Sequence, residues 1–131
     1  MSNTQSNFAS INGANIFYTQ TNPQQPETMV MIHAGICDQR MWEKQVNHFA
    51  DRFHIITFDM RGFGKSDIPD APFSHHEDII ALLEHLKVDS ALFLACSMGG
   101  KMAINLALVK PSLVKALLLS GPAYGGYRYE S

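Results

Sequence analysis

Four short apolar runs constrain this chain more than any other feature: 29–33 (MVMIH), 54–58 (HIITF), 91–95 (ALFLA) and 114–120 (VKALLLS). None alternates polar with apolar residues, as a strand with one wet face does, so each is expected to be buried on both faces, as strands of a parallel sheet are. Helical patterns separate them. Asp38 is placed to cap a helix carrying Met41, Trp42, Val46 and Phe49 on one face. Ser74 and Glu77 make a capping box ahead of Ile79, Ile80, Leu83 and Leu86. A third helix, 98–108, turns Met102, Ala103, Leu106 and Ala107 inward and stops at Lys110-Pro111. Strands alternating with helices imply right-handed βαβ crossovers. Upstream, Asn12-Gly13 between two strand-like segments predicts an antiparallel hairpin, followed by a turn at NPQQPE. The expected fold is α/β, with a mostly parallel sheet of about six strands, an N-terminal hairpin and helices on both faces. The polar residues 1–7 are expected to fray ahead of one domain over 8–131.

Composition narrows the partners. The chain has 131 residues, a formal net charge of -2 and a pI near 6.3. That balance leaves no basic footprint for nucleic acid or an anionic membrane. Cys37 and Cys96 stand in apolar surroundings and are expected as reduced, buried thiols. The opening MSNTQSNFAS has no basic-then-apolar signal pattern, and every apolar run is far short of a membrane span. The cytoplasm is the default expectation.

In open α/β sheets, ligands bind beyond the carboxyl ends of the strands. Here those ends are IHAGICD, FDMRGFGKSD and ACSMGG. At ACSMGG the chain must turn from strand to helix within about one residue, which would thrust Ser97 outward on a strained backbone. Close approach of strand and helix demands small residues two positions either side, and Ala95 and Gly99 stand there. The motif is G-x-S-x-G with alanine for the first glycine. At a helix N-terminus, the Met98 N–H is free to meet a developing oxyanion. The plainer alternative is a serine capping a helix. Cys96 fits the turn poorly as a nucleophile, because Leu94 and Met98 flank it at the positions that must be small. In IHAGICD, Gly35 can expose a second amide without a side chain in the way, or the segment is an ordinary βα turn. His33 is expected to hold that loop rather than act as a base. Asp59 and Arg61 are expected to pair or to bond backbone, fixing the next loop.

Other matches fail on spacing. Gly64-Lys65-Ser66 resembles the end of a phosphate loop, but Asp59 stands where that loop needs glycine. Gly62-x-Gly64 lacks the third glycine of a dinucleotide fingerprint. His76-Glu77 has Ile80 where a zinc-binding pair needs its second histidine. His75, His76 and His85 are therefore expected as solvated helix residues, with no metal site.

Together, IHAGICDQRMWEKQV, FDMRGFGKSD, the capped helix, LFLACSMGGKMAINLAL and VKALLLSGPAYGG closely resemble the α/β-hydrolase fold superfamily over nearly the whole chain. The resemblance implies Ser97 as nucleophile, Gly35 and Met98 as oxyanion-hole amides, and no cofactor. A serine at the turn disfavours dehalogenases and epoxide hydrolases, which use aspartate there. It leaves open esterases, lactonases and carbon–carbon bond hydrolases acting on a small-molecule substrate. The superfamily's acid and histidine come late in the fold. Here no histidine follows His85, and Glu130 is a poor candidate acid. The chain thus resembles the N-terminal half of a serine hydrolase. By itself it is expected to be inactive, and to self-associate or need a complementary C-terminal segment. The alternative is a non-catalytic hydrolase-fold fragment that binds a ligand or a partner chain.

Overall fold

A computed structural model describes residues 3–121. Each apolar run forms a strand: β3 (Thr28–Ile32), β4 (His54–Phe58), β5 (Ala91–Cys96) and β6 (Val114–Ser120), after a hairpin of β1 (Thr4–Ile11) and β2 (Ala14–Thr21). One six-stranded sheet results, in the order β1-β2-β4-β3-β5-β6. The four later strands pair in parallel, and the hairpin joins them antiparallel through β2 and β4. A 3-10 turn (Gln39–Trp42) leads into α1 (Glu43–Phe49), followed by α2 (His75–His85) and α3 (Met98–Val109). No helix among the described residues is long and apolar enough to cross a membrane.

The lack of alternation in the central runs has a direct cause: alternate residues feed two different cores. Val30, Ile32, Ile56, Phe58, Phe93 and Ala95 face α2 and α3, meeting Ile79, Leu82, Leu83, Ala103 and Leu106. Met29, Met31 and Ile55 face the opposite way, against Trp42, Val46 and Phe49. Full burial of a side chain such as Leu82 or Ile55 stabilises by about 1.5–3 kcal/mol. Strand β6 departs from the expectation of two buried faces. Leu117 and Leu119 pack on the α3 side, but Ala116 and Leu118 are exposed. This strand is one of the two edges of the described sheet, and α1 lies over β3 and β4 instead.

Two further expectations are corrected. Residues 4–7 do not fray: β1 pairs along its whole length, from Thr4 opposite Thr21 to Ile11 opposite Ala14. Asn12 (φ 49°) and Gly13 (φ 84°) both take the left-handed conformation that sets a hairpin turn. At the open end, the amides of Asn3 and Asn22 bond Asn22 Oδ1 and Asn3 O, each at 2.8 Å. The outer strand is polar because its outward residues meet water, which hid it from a search for apolar alternation. The Ser74 capping box is also absent. Ser74 is the N-cap of α2, but its hydroxyl lies 2.8 Å from His76 Nδ1 and does not bond the helix backbone.

Candidate active site

The three strand ends meet as the fold class requires. Between Cys96, the last residue of β5, and Met98, the first of α3, Ser97 alone makes the turn, at φ 54° and ψ -116°. A serine in this region stores about 1–3 kcal/mol of backbone strain. Its surroundings hold it there. The Ser97 N–H donates to Ser120 O at 3.0 Å, and its carbonyl accepts from the amides of Gly100 (2.9 Å) and Lys101 (3.3 Å). The side chain is exposed and makes no capping hydrogen bond. The plain helix-cap alternative therefore does not describe this serine.

The small flanking residues have the expected reason. Ala95 is fully buried, and a β-carbon built on Gly99 would lie 2.4 Å from Ile32 O and 2.6 Å from His33 O. Only glycine lets α3 approach the end of β3 so closely. The neighbouring Cys96 is half-buried and packs in the Trp42 cluster; Cys37 is half-buried too, where burial was expected for both.

The loop after β3 is fixed around one peptide. His33 is fully buried, and its Nε2 accepts the Met60 N–H at 2.9 Å. Its Nδ1 must then carry the proton, which it donates to Ala34 O at 2.7 Å. Ala34 O also accepts from the Cys37 N–H at 3.0 Å. In a trans peptide the following N–H points opposite to the carbonyl. Anchoring Ala34 O thus directs the Gly35 N–H away from the loop's own interior. Among the described residues, neither that amide nor the Met98 N–H has a hydrogen-bond partner. Gly35 sits against Met98: a β-carbon on Gly35 would be 3.1 Å from the Met98 Sδ. Burial holds the His33 imidazole below its ordinary pKa of 6.5, against the opposing pull of its bond to Ala34 and of Asp59 and Asp38. His33 is neutral with both nitrogens committed, as a loop-holding residue must be.

The loop after β4 is fastened by buried polar groups. Asp59 accepts from the amides of Gln39 (2.8 Å) and Lys65 (2.9 Å), tying this loop to the start of the first helical turn. Ser66 bonds Asp59 O and accepts the Phe17 N–H, while Lys65 lies over the Phe17 ring. Gly64-Lys65-Ser66 is thus a structural corner. Arg61 does not pair with Asp59. It forms a two-pronged ion pair with Asp78 of α2 (2.8 and 2.9 Å) and donates to Ile11 O and Asn12 O under the hairpin turn. Asp78 escaped sequence reasoning; its signal was a carboxylate beside Ile79, one turn before Leu82, on a helix face otherwise apolar. At the rim, the Arg40 guanidinium draws the Asp38 carboxyl down to about 2.

Of the α2 histidines, His85 is exposed as expected, whereas His75 and His76 are half-buried. His75 is half-buried between the rings of Phe63 and Phe73, and burial lowers its pKa. No hydrogen bond joins Ser97 to a histidine among the described residues. Glu130 lies outside those residues.

A strained, exposed serine thus stands at a strand-to-helix turn, with two amides unpaired among the described residues, at the edge where open α/β sheets bind ligands. The chain belongs to the alpha/beta hydrolase fold family, whose model matches residues 27–126. It is similar to 3-oxoadipate enol-lactonase 2 of Acinetobacter baylyi, 35% identical over a stretch covering 63% of this chain and 32% of the relative. It is 28% identical to 2-hydroxy-6-oxo-6-(2'-aminophenyl)hexa-2,4-dienoic acid hydrolase of Metapseudomonas resinovorans, over 88% of this chain and 42% of that protein. Among solved structures it resembles Est816, described as an N-acyl homoserine lactone degrading enzyme: TM-score 0.84 and 32% identity, covering 91% of this chain and 46% of the other. The chain spans less than half the length of these relatives.

Proposed function

We propose that this chain carries the nucleophile and the oxyanion hole of a serine hydrolase, acting on a lactone, small ester or thioester through an acyl-enzyme. The observation that carries this is Ser97, held at φ 54° and exposed, with its hydroxyl unbonded among the described residues. Ser97 Oγ attacks the substrate carbonyl and passes its proton to a histidine supplied from outside the described residues. The carbonyl oxygen becomes an oxyanion held by the Gly35 and Met98 amides, each worth about 3 kcal/mol of barrier. The alcohol leaves with that proton, and water then releases the acid and restores Ser97. His33, whose two nitrogens are already bonded, stays a loop support. Without its base, the serine is a weak nucleophile, and only the residual catalysis of the hole and of binding remains. Lactones are favoured within this class because two relatives are named for acting on them.

In the whole protein with its histidine, wild type is expected to turn over lactones and p-nitrophenyl esters and to be labelled by a fluorophosphonate. Ser97→Ala should abolish both, and persistence of either removes Ser97 from the mechanism. A second reading, a carbon–carbon bond hydrolase, is favoured by the dienoic acid hydrolase relative and by the run Ser97-Met98-Gly99-Gly100. Turnover of vinylogous diketones but not esters selects it. We place the complete enzyme in the cytoplasm, with either a complementary C-terminal segment or a second copy covering the exposed face of β6. Sizing the isolated chain tests this, because a cooperatively melting monomer counts against both.

A further inference from the structure

Two thioethers clasp the loop that bears Gly35. On one side, the Ala34 N–H donates to Met41 Sδ at 3.3 Å. On the other, Met98 lays its Sδ and β-carbon against the Cα of Gly35, where a built β-carbon would meet them at 3.1 and 3.4 Å. The carbonyl of the same Ala34 is held by His33 and Cys37. Of these attachments, the sulfur contacts are the ones that chemistry can change without unfolding the protein. A thioether is a weak acceptor and readily oxidised. Met41 and Met98 are both half-buried, whereas Met29, Met31 and Met60 are no more than 2% exposed.

We infer that Met41 and Met98 are positioning residues that set the Ala34–Gly35 peptide, and that a peroxide disables the site by converting them to sulfoxides. In that step the sulfur forms a bond to one peroxide oxygen as the O–O bond breaks. The sulfur is oxidised by two electrons, the peroxide is reduced, and water leaves. A sulfoxide is polar and bulkier at sulfur. At Met41 it removes the acceptor from its place opposite the Ala34 N–H, and at Met98 it crowds Gly35. The consequence for catalysis rests on the proposed role of Gly35 as an oxyanion donor. Met98 then matters twice, since its own amide is the other donor.

Amide hydrogen exchange on the full chain separates the two ideas. Met41→Leu keeps the volume and removes the acceptor. Exchange of the Ala34 amide is expected to quicken at least tenfold, while Val30 and Ile56, deep in the sheet, keep wild-type rates. Hydrogen peroxide should oxidise Met41 and Met98 before Met29, Met31 and Met60, by peptide mass spectrometry, and quicken Ala34 exchange equally. The Met41→Leu/Met98→Leu protein should show no further change with peroxide, and Met102→Leu should behave as wild type. An Ala34 rate within twofold of wild type in Met41→Leu overturns the inference, as does a parallel rise at Val30 and Ile56. In the whole protein with its histidine, phenylboronic acid, which forms a tetrahedral adduct on a reactive serine, reads the site itself. Its binding should vanish in Ser97→Ala and weaken about tenfold in Met41→Leu. If boronate ignores Ser97 while Ala34 still depends on Met41, the hydrolase proposal fails and the clasp stands. If boronate needs Ser97 but not Met41, the reverse holds.

Discussion

The loop after β4 and the turn after β5 stand at the same edge of the sheet and are built on opposite terms. In the first, polar groups are buried and bonded: Asp59 accepts two amides, Ser66 bonds the backbone of Asp59 and of Phe17 in β2, and Arg61 is paired with Asp78. In the second, the Ser97 side chain has no hydrogen bond among the described residues, and the conformation is forced by packing, through Ala95 and through Gly99 against Ile32 O. A hydroxyl locked into structural hydrogen bonds could not turn to a base, so the role proposed for Ser97 requires its position to come from the backbone. The lesson is a division of labour: the polar lock supplies rigidity next door, and the packed turn supplies a free, strained serine.

The comparison breaks first, and by the largest margin, at the polar lock. Arg61→Met leaves Asp78 buried without its cation, and stability should fall by about 3–5 kcal/mol, read as a shift of the urea midpoint. The double variant Arg61→Met/Asp78→Leu should recover most of that loss. A single variant as stable as wild type would mean that the pair does not hold the loop. Next comes the packed turn. Gly99→Ala sets a methyl against two carbonyl oxygens and should cost about 3 kcal/mol, with phosphonate labelling of Ser97 lost in the whole protein. Unchanged labelling would show that the turn tolerates a wider approach.

A smaller effect has the opposite sign. Ser97→Gly relieves the positive φ and should gain about 1 kcal/mol in stability while removing the proposed hydrolysis in the whole protein. A destabilised Ser97→Gly would mean that the serine is not strained. The smallest effect follows pH. Folding keeps His33 neutral by burial, and His54 and His75 shift the same way. As pH falls below about 6.5 the unfolded chain takes up protons that the folded chain refuses, so stability drops until the lowered folded pKa values are reached. Above 6.5 these groups contribute no slope. Thermal melts from pH 7.5 to 5 should show the decline, less steeply in His33→Asn; an equal slope in that variant would assign it to other groups.

Much of this was open to inspection in the residues. The strands β3, β4 and β5 were legible because a run apolar at every position can only sit between two cores. The hairpin turn was legible because Asn12-Gly13 favours positive φ at both places. The register of Ala95, Ser97 and Gly99 was legible because a strand-to-helix turn tolerates only small residues there. Residues 4–7 were not, since a strand on an outer hairpin is held by main-chain bonds to which composition is blind. Ser74 holds the N-cap position as its type suggests, but its hydroxyl meets His76 instead of the helix backbone, because a hydroxyl takes whichever partner the local geometry offers.

The one-dimensional pattern determined the α/β alternation, the hairpin and the position of Ser97, all of which follow from local preferences and burial period. Only the tertiary structure decided that Arg61 pairs with Asp78 and that Ala34 hangs between Met41 and His33. It also decided that Ala116 and Leu118 of β6 face outward. Those facts depend on which segments the folded sheet brings side by side, and hydrogen bonds and packing act through space rather than along the chain.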